Sequence, residues 1–96
     1  MYVLVTYDVS TSDKAGAKRL RRVAKVCINH GQRVQKSVFE MKLEPAEWTA
    51  CLAALLEIID PEQDSIRTYH LGNNWAERIE HYGLRNDVDI DGFLNV

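Results

Sequence analysis

Residues 2–9 read YVLVTYDV, and this stretch decides the fold. β-Branched and aromatic side chains dominate it, and a polar Asp-Val-Ser-Thr-Ser cluster over residues 8–12 ends it, so it reads as a strand. Side chains alternate across a strand: Val3, Val5, Tyr7 and Val9 point one way, while Tyr2, Leu4 and Thr6 point the other, with Asp8 last in that second row. Both rows are largely apolar, so both faces expect cover. The apolar start carries no basic leader and no small-residue cleavage pattern, which favours a strand over a signal peptide.

Working outward, Ser12 or Asp13 can cap a helix running to about His30, with Gly31 placed as a terminating C′ glycine. Ala17, Leu20, Ala24, Cys27 and Ile28 form its apolar face, and Lys14, Lys18, Arg22 and Lys25 a basic stripe. Residues 32–43 read as a pair of short strands, the second alternating through Phe39, Met41 and Leu43. Pro45 opens a second helix with Trp48, Leu52, Leu55, Leu56 and Ile59 on one face, and Asp60-Pro61 stops it. Ser65 to Leu71 is a further strand. The order β-α-β-β-α-β predicts an α+β, ferredoxin-like domain over residues 1–72, with two helices on one face of an antiparallel sheet. The opposite face then needs a cover, and a second copy of the sheet is the simplest one. Residues 73–96 form a C-terminal extension, read as a short helix over Asn74–Tyr82 carrying Trp75 and Ile79. A strand over Asp87–Val96 follows, pairing at a sheet edge of the dimer interface; a frayed tail is the alternative.

At 96 residues, with 46% apolar and 27% charged, the chain makes one globular domain, small enough to gain from pairing with a second copy. No apolar run approaches the roughly 20 residues that cross a bilayer, so no membrane role is expected. Cys27 and Cys51 sit on helix faces without metal-ligand spacing and read as buried thiols, in keeping with a cytoplasmic protein. The net charge of −2 hides a division: Lys14, Lys18, Arg19, Arg21, Arg22, Lys25, Arg33 and Lys36 meet no acid between residues 14 and 36, whereas twelve acids and four bases follow. A solvated basic helix is the plain reading; the complete absence of acids favours a surface for phosphates.

Asp8 stands at a strand end beside Ser10, Thr11 and Ser12. Such an aspartate often caps a turn. It is equally a hard oxygen ligand suited to magnesium, with manganese as an alternative, and two copies meeting near a two-fold axis could share one cation. That ion would polarise a phosphate oxygen and orient a water. His30, His70 and His81 are scattered and form no nucleophile pattern with the cysteines.

VTYDVS at residues 5–10, the basic helix, GQRVQKSVFEMKL at 31–43 and a second helix together resemble the CRISPR-associated family two proteins. PEQDSIRTYHLGNNW at 61–75 and the IDG at 90–92 look like the subtype with a C-terminal strand. The resemblance implies a ferredoxin-like homodimer, association with the family-one integrase during spacer acquisition, and metal-dependent endonuclease activity on single-stranded RNA or double-stranded DNA. It places the metal aspartate at Asp8, preceded by Tyr7, the basic residue after the helix glycine at Arg33, the hydroxyl at Ser37 and the aromatic at Phe39. The early-helix arginines fall somewhere among Lys14, Lys18, Arg19, Arg21 and Arg22. Beside these roles stand plainer ones: Phe39 and Tyr7 as packing, Ser37 as a turn residue, Arg33 as a partner of Glu40 or Glu44, and Trp48 and Trp75 as core. A non-catalytic dimer that bridges integrase subunits and holds duplex DNA is the competing function. A generic RNA-binding module fits less well, because Ser37–Leu43 supplies Phe39 alone where paired aromatics are needed.

Overall fold

The computed structural model describes residues 1–72 and 79–84. Strand β1 (Tyr2–Asp8) is followed by helix α1 (Lys14–His30), strands β2 (Gln32–Gln35) and β3 (Val38–Lys42), helix α2 (Pro45–Ile58), and strands β4 (Ser65–His70) and β5 (Ile79–Gly83). They form one sheet in the order β2-β3-β1-β4-β5, antiparallel at every pairing. Its first four strands have the ferredoxin-like arrangement read from the sequence, with β5 added beside β4.

One row of β1 builds the core. Val3, Val5 and Tyr7 pack with Phe39, Met41 and Ile66 from the neighbouring strands beneath Val23 and Cys27 of α1 and Trp48, Cys51 and Leu55 of α2. Asp13 caps α1 by accepting the Gly16 amide (2.8 Å) on its carboxylate. Pro45 occupies the first turn of α2, where the Glu44 amide donates to Glu47 Oε1 (3.0 Å). Trp48 also meets the His70 ring edge-on, 5.6 Å between centroids.

Several expectations change. Ile28, placed on the buried face of α1, is 56% exposed, and Leu56 of α2 is exposed as well. The stripe that packs on the sheet runs Gly16, Val23, Cys27 with Leu20 and Val26 at its flank, one residue round from the expected face. Gly31 does end α1, but in extended backbone (φ −161°) rather than a left-handed cap. Its glycine is a matter of space: a Cβ there would lie 2.5 Å from the Glu40 carbonyl oxygen and 2.6 Å from Met41 Cγ.

The helix expected over Asn74–Tyr82 is corrected by β5 over its described residues, 79–82. Ile79–Gly83 is a strand whose residues pair with β4 from Ile79↔Tyr69 to Gly83↔Ser65. The i, i+4 spacing of Trp75 and Ile79 suggested a helix, yet the free edge of β4 stands beside residues 79–83, and pairing with it satisfies their backbone groups. Trp75 and the expected strand over Asp87–Val96 lie outside the described residues. The sheet face away from the helices is not wholly bare within one chain. Thr6 is 6% and Tyr69 1% exposed on it, and the Arg67 guanidinium donates to His81 Nδ1 (3.3–3.4 Å) there. Tyr2, Leu4 and Asp8, the rest of that row of β1, keep partial or full exposure.

Candidate active site at the end of the first strand

Asp8 is the last residue of β1, paired through its backbone with Ser65 of β4. Its side chain is exposed and makes no hydrogen bond or ion pair among the described residues. The turn cap that an aspartate at this place could have formed is instead made by Asp13. Among the described residues, nothing occupies the Asp8 carboxylate.

The backbone on either side of it is held. Before Asp8, the Tyr7 amide donates to the Ser37 carbonyl (3.1 Å) in the turn between β2 and β3. After it, the Ser10 amide donates to Asp64 Oδ1 (3.0 Å). The Ser10 carbonyl rests on the first turn of α1, where a Cβ on Gly16 would come within 1.9 Å of its oxygen, so only glycine permits that approach. Ser10 and Ser12 hydroxyls lie 3.3 Å apart.

Asp64 is a residue that the sequence reading passed over. Its carboxylate is fully buried and accepts from the Ser10 amide, from the Asp60 amide (2.9 Å), and from Arg19 Nε (2.7 Å) and Nη2 (3.5 Å). Its carbonyl accepts the Leu84 amide (2.7 Å) beyond β5. Arg19 is therefore not a free phosphate contact as expected: its side chain is 14% exposed and committed to Asp64, which raises the arginine's pKa further. Asp60, accepting from Gln63 Nε2 (2.7 Å) and the Glu62 amide (3.0 Å), is held below the usual carboxylate range.

The remaining expected residues divide between surface and core. Lys14, Lys18, Arg22 and Lys25 are exposed along α1, with Arg21 and Lys36, and form an open basic surface. Arg33 is exposed on β2, its guanidinium 5.0 Å from the centroid of the Phe39 ring rather than paired with Glu40 or Glu44. Phe39 itself is 0% exposed and stacks on Tyr7 with centroids 6.1 Å apart. A base cannot reach either ring here. The period of two that exposes Asp8 turns Tyr7 under the helices, so both aromatics buttress the strand end from below instead of lining the surface that Asp8 occupies. Burial pushes the Tyr7 phenol up, so it stays protonated and acts as a donor, toward the Lys36 carbonyl at 3.5 Å. Ser37 is half-buried in the hairpin turn, its carbonyl engaged by β1. Cys27 and Cys51 are buried free thiols pushed up to about 12 and about 11 by desolvation, which makes them poor nucleophiles.

Among the described residues no group of three or more His, Cys, Asp or Glu could enclose a metal ion. Among the described residues, Asp8 is an exposed carboxylate at the strand end with no hydrogen bond or ion pair. No described helix is long and apolar enough to cross a membrane.

Fold and site together define a class: a ferredoxin-like domain, extended by a fifth strand, that carries an exposed strand-end aspartate and a basic first helix. Residues 1–79 match the family model described as CRISPR associated protein Cas2. The chain is 53% identical to the CRISPR-associated endoribonuclease Cas2 of Chlorobaculum tepidum over 94 residues, covering 98% of each chain. It is 50% identical to the CRISPR-associated endonuclease Cas2 of Halalkalibacterium halodurans over 91 residues, 95% of each. The crystal structure of Streptococcus pyogenes Cas2 at pH 6.5 superposes with a TM-score of 0.70 at 57% identity, over 83% of this chain and 96% of that one. The chain belongs to the Cas2 family.

Proposed function

We propose that the protein is a magnesium-dependent endonuclease of CRISPR spacer acquisition that works as a homodimer on single-stranded RNA or double-stranded DNA. The observation that carries this reading is the exposed carboxylate of Asp8, without a partner among the described residues and held on fixed backbone at a strand end, while Asp64 nearby is engaged. The relatives' names, endoribonuclease and endonuclease, support it.

The donor set fits the ion as a half-site. Magnesium keeps most of its waters and needs one or two carboxylates, so Asp8 from each of two copies would hold it, with manganese as a substitute. When bound, it supplies Lewis-acid polarisation of a phosphate oxygen. The chain's own groups do the rest. Lys14, Lys18, Arg22 and Lys25 attract the nucleic-acid backbone and Arg33 adds a cation beside the β2 edge. Tyr7 and Phe39 keep the end of β1 rigid from within the core.

Purified protein is incubated with RNA and with duplex DNA under magnesium or chelator, alongside Asp8→Ala. Cleavage that needs magnesium and disappears in Asp8→Ala supports the reading; cleavage that survives the substitution overturns it. The exposed basic stripe also suits a dimer that holds duplex DNA and bridges family-one integrase subunits without cutting. Binding with no cleavage in any metal selects that function.

A further inference from the structure

We propose that the buried Asp64–Arg19 ion pair is the positioning device for Asp8 and sets the protein's affinity for its metal ion; the inference rests on the reading of Asp8 as metal ligand. Only Val9 separates Asp8 from Ser10, whose amide is fixed by Asp64 Oδ1 at 3.0 Å. Asp64 also precedes Ser65, the cross-strand partner of Asp8. Asp64 thus bonds the chain just after Asp8 and adjoins the chain just opposite it.

Asp64 can hold that post only while it is paired. A fully buried carboxylate is tolerated when its lone pairs are satisfied and a cation neutralises it. Arg19 does both with Nε at 2.7 Å and Nη2 at 3.5 Å, reaching down from α1 one turn beyond Gly16, on which the Ser10 carbonyl rests. Ser10 is therefore clamped at its amide by Asp64 and at its carbonyl by α1, and both clamps depend on how α1 seats. The remaining acceptor capacity of Asp64 takes the Asp60 amide, so the loop leaving α2 joins the same knot. Asp8 itself touches none of this. Its freedom to bind and its fixed location come from different residues.

The test uses the full-length chain and manganese as the probe, read by the loss of the free-ion paramagnetic resonance signal. Arg19→Lys keeps a cation for Asp64 and so preserves the fold, but loses the planar fork. Asp64→Asn keeps an acceptor for the amides and removes the charge. Both are expected to weaken manganese binding measurably, by less than the about ten- to hundredfold lost when a group bonded directly to a ligand is removed. The magnesium concentration for half-maximal cleavage rises in parallel, while kcat at saturating metal falls far less. Folding is checked by circular dichroism, and should Asp64→Asn fail to fold, Arg19→Lys decides. A folded variant that binds manganese as tightly as the unaltered protein overturns the positioning role while leaving Asp8 in place. Manganese binding absent from the unaltered protein, or unaffected by Asp8→Ala, overturns the Asp8 reading and this inference with it.

Discussion

Replacing Asp64 by alanine removes one acceptor from three segments of chain at once: the loop after β1 at Ser10, the turn after α2 at Asp60, and α1 at Arg19. The two amides are only partly buried, so water reaches them in part and each loss falls near the lower end, about 1 kcal/mol. The charge-assisted bond from α1 adds a comparable amount, discounted because the guanidinium can turn to solvent. The total is about 3 kcal/mol, a large share of the ~5–15 kcal/mol that holds a domain of this kind together. At roughly 4–8 °C per kcal/mol for a chain of this size, the melting temperature drops on the order of 10–25 °C. Urea unfolding at one fixed protein concentration measures it, since any self-association links stability to concentration. Arg19→Met also destabilises, by stranding a buried carboxylate, and the double variant is expected to lose less than the sum of the two. A loss below about 1 kcal/mol for Asp64→Ala, or additivity within about 0.5 kcal/mol in the cycle, would refute the claim that the pair acts as one unit.

Asp8→Ala, by contrast, deletes an exposed side chain that bonds to nothing described, so stability changes by less than about 0.5 kcal/mol while magnesium-dependent cleavage is lost. Gly16→Ala forces a methyl group against the Ser10 carbonyl and costs about 1–3 kcal/mol by thermal unfolding, with weaker metal binding as the loop shifts. Neutralising Lys18 together with Arg22 lowers the slope of log affinity against log salt by about 1.8, whereas neutralising Arg19 leaves the slope unchanged, read by fluorescence anisotropy on duplex DNA. Cys27 and Cys51 react with a thiol reagent at pH 8 only as fast as the chain unfolds. Burial raises their folded pKa from 9.0 to about 12 and about 11, so their contribution to stability is complete below pH 9 and is lost as pH climbs through those values. Unfolding titrations between pH 8 and 12 follow that loss.

Much of the fold was legible because it is written in local signals. The alternation of residues 2–9, the cap at Asp13, the proline at residue 45 and the breaks at Gly31 and Asp60-Pro61 each act within a few residues, and every element through β4 follows from them. The misreadings arise where one residue of rotation matters. Ile28 and Val23 both satisfy a helical spacing, and only the seat of α1 on the sheet selects Val23 for burial. β5 was missed because five residues with mixed periodicity carry too little information until a free strand edge stands beside them.

The site divides the same way. Sequence alone determined that an aspartate ends a strand on the row opposite Val3, Val5 and Tyr7, and that a helix free of acids follows it, because pleat and charge are properties of consecutive residues. Tertiary structure decided which of those cations remain free. Arg19 is bound by an acid 45 positions away, Phe39 is sealed in the core beneath Arg33, and Ser10 is pinned by the same distant Asp64. A buried charge must find its counter-charge wherever packing brings one, and no local pattern announces the partner.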